Sequence, residues 1–362
     1  MLILIAILSI INIFMIQGRA EKVIEAKEIA QEFMRPAELD VTKILLSNCE
    51  ECFDINSALE EIKKQNVNIT KEKVVYLNEN EAKALIGKYK IKKIPALIIS
   101  GEVNKTENLK AFFEKSGYFP EEKKAVYTNL KLPYYNVSLG RVVGRVSVIN
   151  VVDSSCNEGV PLFQLTDSLK KAGVAVTEEK EYEYSSNLGK ELIAKFNITR
   201  IPAILISNEI NRYENIKLGL QQLATEKNGY YALHGINAPY RDLKEEKIVG
   251  LVKLIFLTDS SCSKCFDVNI NKIILQRLGV FINEEAAYDI VSEQGKALLS
   301  KYSIGKVPML LMSPEAESYP ALTKAWESVG TVEEDGWYVM RDVENLGTYK
   351  DLATNEIVKV QQ

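Results

Sequence analysis

From residue 37 onward, apolar and polar positions follow one cycle that is repeated three times. Each cycle opens on an apolar run that ends at a cysteine: Ile44-Leu45-Leu46-Ser47-Asn48-Cys49, Ile149-Asn150-Val151-Val152-Asp153-Ser154-Ser155-Cys156, and Leu254-Ile255-Phe256-Leu257-Thr258-Asp259-Ser260-Ser261-Cys262. Short apolar runs bounded by polar turn residues predict buried strands. Beyond the cysteine the period becomes helical, and Ile55, Leu59 and Ile62 share one helix face in the first cycle. A second strand is predicted near Val74-Val75-Tyr76-Leu77, and a second helix around Ala82, Leu85 and Ile86. Then comes a proline-led apolar run: Ile94-Pro95-Ala96-Leu97, Ile201-Pro202-Ala203-Ile204 and Val307-Pro308-Met309-Leu310. A further helix follows, such as Ala321 to Val329 in the third cycle. Each cycle closes on a Gly-aromatic pair, Gly117-Tyr118, Gly229-Tyr230 and Gly336-Trp337.

The register of these landmarks identifies a duplicated module. The cysteines lie 107 and then 106 residues apart, and the cysteine-to-proline spacing is 46 in all three cycles. Just upstream of the prolines, Lys88-Tyr89-Lys90-Ile91, Lys195-Phe196-Asn197-Ile198 and Lys301-Tyr302-Ser303-Ile304 also align. Alternating strands and helices predict an α/β fold, a mixed sheet with helices on both faces, built three times over residues 37–140, 141–246 and 247–362. A proline is compatible with a strand at its first position. With Ile or Val before it in a strand-entry turn, it is a candidate for a cis X-Pro bond.

The N-terminus is different. Met1 to Ile16 carries no charge. As a helix it would span about 24 Å of a hydrocarbon core roughly 30 Å thick. Gln17 and Gly18 extend it, and Arg19 and Lys22 can snorkel. The expectation is a single-pass transmembrane anchor or uncleaved signal over residues 1–18, then a helical stalk over 19–36 that ends near Pro36. Arg19, Lys22 and Lys27 after the span favour a cytoplasmic body under the positive-inside rule. Disulfide-forming dithiols favour an oxidising compartment, and the extracytoplasmic side is the expectation adopted. Asn-x-Ser/Thr sites at Asn68, Asn104, Asn136 and Asn197 fit that side.

Composition narrows the chemistry. The chain has 362 residues, 46% hydrophobic and 26% charged, with a net charge of -4. Lysine and glutamate are interspersed, so the basic stripe of a nucleic-acid-binding face is missing. The single histidine, His234, reads as a loop residue and rules out a histidine-rich metal site. Five cysteines are too few for a disulfide scaffold in a chain this long. Four of them form Cys49-Glu50-Glu51-Cys52 and Cys262-Ser263-Lys264-Cys265. Cys156 stands alone, with Gly159 in the partner position.

A strand ending in cysteine, a second cysteine three residues on inside a helix, and an Ile/Val-Pro 46 residues beyond the first together resemble the thioredoxin fold. The resemblance covers nearly all of residues 37–362. It implies that Pro95, Pro202 and Pro308 are cis-prolines lying beside the cysteines and seating the substrate chain. The whole is loosely similar in organisation to protein disulfide isomerases, with a degenerate middle unit. Departures are clear: Asn48, Ser155 and Ser261 replace the tryptophan before the first cysteine. Lys43, Asn150 and Phe256 stand where thioredoxins bury an acid, and the Gly-Pro dipeptide between the cysteines is replaced.

Cysteines at i and i+3 in a first helical turn share a face and can bridge. The first sits where the helix dipole favours thiolate. Cys49 and Cys262 are therefore the candidate nucleophiles, and Cys52 and Cys265 the resolving residues. Glu50 and Glu51 oppose a thiolate at Cys49 while Lys264 favours one at Cys262, which makes the third site the stronger oxidant. Two pairs could also form a four-thiolate zinc site, or be inert. Their equivalent positions in separate repeats, each tied to its own proline, favour redox exchange without metal or cofactor. Cys156 is either the relic of a decayed site or a monothiol open to a mixed disulfide. Asp54 and Asp267 are capping or solvated groups, with proton transfer as the sharper alternative. Tyr118, Tyr230 and Trp337 read as core or strand residues. The expected function is a membrane-tethered thiol-disulfide oxidoreductase acting on the thiols and disulfides of exported proteins. The alternative is a binding or chaperone-like adaptor with vestigial thiols.

Overall fold

A computed structural model describes residues 22–28, 30–155, 162–234 and 237–359. The anchor expected over residues 1–18 lies outside them. Residues 22–28 and 30–34 are helical, within the expected stalk. Among the described residues no helix is long and apolar enough to cross a membrane. The chain divides into two compact units, Met1–Arg145 and Val146–Gln362. The first holds one repeat and the second holds two.

The first repeat runs β1 (Ala37–Leu45), α1 (Ile55–Lys63), β2 (Val67–Tyr76), α2 (Asn80–Tyr89), β3 (Lys93–Ile94), β4 (Ala96–Gly101), α3 (Glu107–Ser116), β5 (Gly117–Glu121), β6 (Lys124–Tyr127), β7 (Tyr134–Asn136) and β8 (Arg141–Val143). Its main sheet has the order β2-β1-β4-β6-β5. β1 and β2 are parallel, with Ile44 beside Val75, and the remaining pairs are antiparallel. A parallel pair needs a crossover, which α1 supplies. Alternation along β4 then sorts the core onto two faces. Leu97 and Ile99 pack with Ile55, Leu59 and Ile62 of α1 and with Leu109 and Phe113 of α3. Ala96 and Ile98 face Ala82, Ile86 and Tyr89 of α2. Each such buried Leu or Ile contributes about 1.5–3 kcal/mol. Local signals set the helix ends: Asp54 and Thr106 cap α1 and α3, and Lys90 closes α2 in the left-handed region at φ 53°.

The second and third repeats follow the same plan. Their main sheets are built on Val146–Val152 and Val252–Thr258, each parallel to one neighbour and antiparallel to the proline-led strand. The molecule is thus α/β, with three repeated mixed-sheet units flanked by helices.

Two expectations change. The Gly-aromatic pairs are not equivalent. Gly117 opens β5, whereas Gly229 and Gly336 occupy turns at φ 80° and 81° ahead of Tyr230–His234 and Tyr338–Met340. The third-repeat counterpart of Gly117 is Gly330, which like it has a partner-strand carbonyl where a Cβ would stand. Nor does a repeat close there. Each continues into a hairpin, Tyr134–Asn136 with Arg141–Val143, Tyr240–Asp242 with Lys247–Val249, and Tyr349–Asp351 with Glu356–Val358. The first strand of each hairpin pairs with the two residues before the landmark proline, giving a small three-stranded sheet.

The last two repeats share a seam. The Tyr319 hydroxyl donates to the Gly250 carbonyl at 2.6 Å and accepts from the Phe281 amide at 3.1 Å. Ala238 of the middle repeat belongs to the third repeat's core. Gly250 adopts φ 91°, and a Cβ there would stand 2.5 Å from the Ala238 methyl, so only glycine fits.

Candidate active site

In the first repeat the segment between β1 and α1 forms a tight turn. The Cys52 amide donates to the Cys49 carbonyl at 3.4 Å, and Cys49 and Cys52 are joined as a disulfide with Cα atoms 5.3 Å apart. The third repeat matches: Cys265 donates to Cys262 at 3.3 Å, and the pair is bridged with Cα atoms 5.5 Å apart. Both pairs precede the helix instead of sitting in its first turn. The hairpin sheet supplies the reason. The Phe53 amide donates to Pro133 O and the Phe266 amide to Thr348 O, each at 2.8 Å, so neither can join a helical ladder. The helices start at Ile55, capped by Asp54, and at Ile270. Asp267 instead accepts from the Asn269 amide at 3.0 Å. The dipole acts mainly within the first turn, so it favours a thiolate at these cysteines less than the sequence reading implied.

The Ile94-Pro95, Ile201-Pro202 and Val307-Pro308 bonds are all cis. In the third repeat the Cys265 sulfur lies 4.0 Å from the Val307 carbonyl oxygen, placing the cysteine turn against the proline loop.

Charge is arranged differently at each site. At the first, Arg145 forms an ion pair through Nε with Glu51 and brings Nη2 to 3.4 Å from the Cys49 sulfur. Glu51, read from sequence as opposing a thiolate, is therefore already matched by a cation; Glu50 is exposed. At the third, Asp259 is nearly sealed, at 4% side-chain exposure. It takes the Ser261 amide and hydroxyl at 2.8 and 2.6 Å and the Lys350 ammonium at 2.5 Å. Burial raises the Asp259 pKa, but Lys350 and Ser261 outweigh it and hold the carboxyl below its ordinary range. Asp153 of the middle repeat is built alike, paired with Arg241 and accepting from Ser155, and is lowered for the same reasons. In the first repeat these positions are Leu46 and Tyr135, which pack in one cluster. Cys49 is half-buried, whereas Cys262 is 8% exposed.

No acid stands six residues before the first cysteine of any repeat. Lys43 there is held by Asn56 and Glu72, both at 2.9 Å. Asn150 is buried, and Phe256 lies under the Lys272 ammonium. Cys156 and Gly159 lie outside the described residues. His234 ends a strand. Among the described residues no group of three or more His, Cys, Asp or Glu could hold a metal ion.

Sequence reasoning overlooked Asp259, Lys350 and Arg145. The first two had a signal in the tetrapeptide Asp-Ser-Ser-Cys, present at both 153–156 and 259–262, and in the matching segments Tyr240-Arg241-Asp242-Leu243 and Tyr349-Lys350-Asp351-Leu352. Arg145 had none.

No protein-family model and no curated protein matches the chain. Among solved structures it is similar to ERdj5, at 12% identity over 79% of this chain and 39% of that one, with a TM-score of 0.16. It is also similar to a protein disulfide oxidoreductase from Aeropyrum pernix k1, at 14% identity over 56% and 94%, with a TM-score of 0.16. A third likeness is to human ERp44, at 12% identity over 79% and 81%, with a TM-score of 0.14. The chain spans about two fifths of the length of the ERdj5 structures it matches. Overlaps this small carry no argument. The thioredoxin-like character rests on the chain's own strand order, its cysteine turns and their prolines. By itself the chain shows three repeated units, two of which carry a bridged Cys-x-x-Cys turn.

Proposed function

We propose that the chain is a membrane-tethered thiol-disulfide oxidoreductase that works on protein substrates through Cys49/Cys52 and Cys262/Cys265. The observation that carries this reading is the pairing itself: in two separate repeats the cysteines are close enough to bridge, in a turn braced by the hairpin sheet. In the reducing direction, the Cys49 or Cys262 thiolate attacks a substrate disulfide. A mixed disulfide forms, and the first substrate sulfur leaves as a thiolate that takes a proton from solvent. Cys52 or Cys265 gives up its proton and attacks the mixed disulfide, which forms the enzyme disulfide and releases the second substrate sulfur. Two electrons pass from the dithiol to the substrate; the oxidising direction is the reverse. Pro95 and Pro308 seat the substrate chain beside the sulfurs, and Pro202 offers an equivalent surface in the middle repeat. The uncharged run Met1–Ile16 supports the tether, and the dithiol chemistry supports an extracytoplasmic body with exported proteins as substrates.

A second reading, a non-catalytic adaptor with vestigial thiols, is favoured by the burial of Cys262 and by Gly159 in the middle repeat. Turnover of a disulfide-bonded peptide decides between them. The oxidoreductase turns it over, and Cys49→Ser combined with Cys262→Ser abolishes this. Peptide binding with no turnover by the unaltered protein would establish the adaptor. Labelling of the thiols in intact cells with a membrane-impermeant alkylating reagent tests the side of the membrane.

A further inference from the structure

We propose that Arg145 is a catalytic residue of the first site: its guanidinium stabilises the Cys49 thiolate, and Glu51 positions it there. The inference rests on reading Cys49 as the nucleophile.

Cys49 and Arg145 are 96 residues apart in sequence and are brought together by the hairpin sheet. β7 is tied to the residues before Pro95, and β8 returns alongside it as far as Val143. Gly144 then turns the chain at φ 85°, in a space where a Cβ would stand 2.6 Å from the Leu132 side chain. That bend delivers Arg145 to the cysteine turn. A guanidinium is a rigid fork of five N–H donors that keeps its charge at every working pH. Glu51 lies against Nε as an ion pair without a hydrogen bond, and Nη2 stands 3.4 Å from the Cys49 sulfur. Against a disulfide sulfur this is a weak contact. Once the bond is reduced the same donor meets an anion, and charge-assisted hydrogen bonds are about twice as strong as neutral ones. The interaction therefore favours the dithiol state and makes the oxidised first site a stronger oxidant than its Glu-Glu dipeptide implies. At the third site the cation on the hairpin, Lys350, is engaged by Asp259.

The test uses the full chain with Cys262→Ser and Cys265→Ser, reduced. The rate of Cys49 alkylation is followed against pH by peptide mass spectrometry, alongside turnover of a disulfide-bonded peptide. Arg145→Gln should raise the midpoint of the alkylation profile and slow labelling at pH 6 about tenfold, the equivalent of one pKa unit. Arg145→Lys, which keeps the charge without the fork, should recover part of the loss, and it keeps the test readable if the glutamine variant fails to fold. An unmoved midpoint in both variants overturns the proposal, whether or not the peptide is turned over. A shifted midpoint without turnover by the unaltered protein supports the Arg145–Cys49 interaction and overturns the oxidoreductase reading instead.

Discussion

The first and third cysteine turns share a backbone and differ in the charges around the sulfur. At Cys49 a half-exposed Arg145–Glu51 pair touches the reacting atom, and the positions three residues upstream and across the hairpin are the apolar Leu46 and Tyr135. At Cys262 the sulfur is withdrawn, and a buried Asp259–Lys350 pair braces the preceding turn through Ser261. The middle repeat shows which of these belongs to architecture. It keeps the Asp153–Arg241 pair and its serine although Gly159 has replaced the second cysteine. A device retained where a dithiol has been lost is holding a turn, not moving electrons. The difference between the two dithiol sites therefore lies in Arg145 and in exposure.

That contrast can be broken most severely at Lys350. Removing the cation from a part-buried pair leaves the Asp259 carboxylate with the Ser261 bonds alone and costs about 1–3 kcal/mol. Lys350→Met should lower the denaturant midpoint of the third repeat accordingly, whereas Tyr135→Phe in the first should change little. Both tryptophans of the chain, Trp326 and Trp337, lie in the third repeat, so their fluorescence reports on it within the intact protein. An unchanged midpoint would remove the pair from the architecture.

Next in size is sulfur reactivity. In the fully reduced protein at pH 7, iodoacetamide should label Cys49 about tenfold faster than Cys262, since both thiolate stabilisation and access favour it. Equal rates would erase the proposed distinction, and a faster Cys262 would restore the order read from Glu50, Glu51 and Lys264.

Acid gives a smaller effect with a definite sign. The folded-state pKa of Asp259 is lowered. Its contribution is complete above the unfolded value of about 3.9 and is lost as pH falls through the folded value. The tryptophan-reported midpoint should therefore decline below about pH 4. In Lys350→Met the cation is lost while the Ser261 amide and hydroxyl still oppose burial, so the carboxyl's pKa rises and the acid decline should shrink. A parallel decline in both proteins would show that other groups control the acid limb.

The least effect concerns substrates. Glu50 and Lys264 are exposed beside their sulfurs. Peptides with basic residues near the cystine should react a few-fold faster at the first site and acidic ones at the third, with the preference fading in salt.

The three-fold repeat, the strand–cysteine–helix order and the prolines were legible because local periodicity and fixed spacing encode them. Ile55, Leu59 and Ile62 are buried on one face of α1, as their spacing required. The helix start was misread because the Phe53 and Phe266 amides are captured by Pro133 and Thr348, just ahead of a hairpin strand distant in sequence, which no local pattern announces. Arg145 was hidden for the same reason, its contact being tertiary. The hairpins were readable in principle from Tyr134 to Val143, Tyr240 to Val249 and Tyr349 to Val358. Each segment opens on tyrosine, closes on valine and turns through a left-handed residue, Gly140, Glu246 or Asn355.

Tyr319, clasping Gly250 and the Phe281 amide, welds the third repeat to the peptide through which the middle repeat enters it. That clasp, together with Ala238 in the third repeat's core, ties the two repeats at their junction. The middle repeat, which keeps a single cysteine, thus contributes Ala238 to the core of the repeat that carries Cys262. That attachment is made by Ala238 and Gly250, and neither contact involves a cysteine.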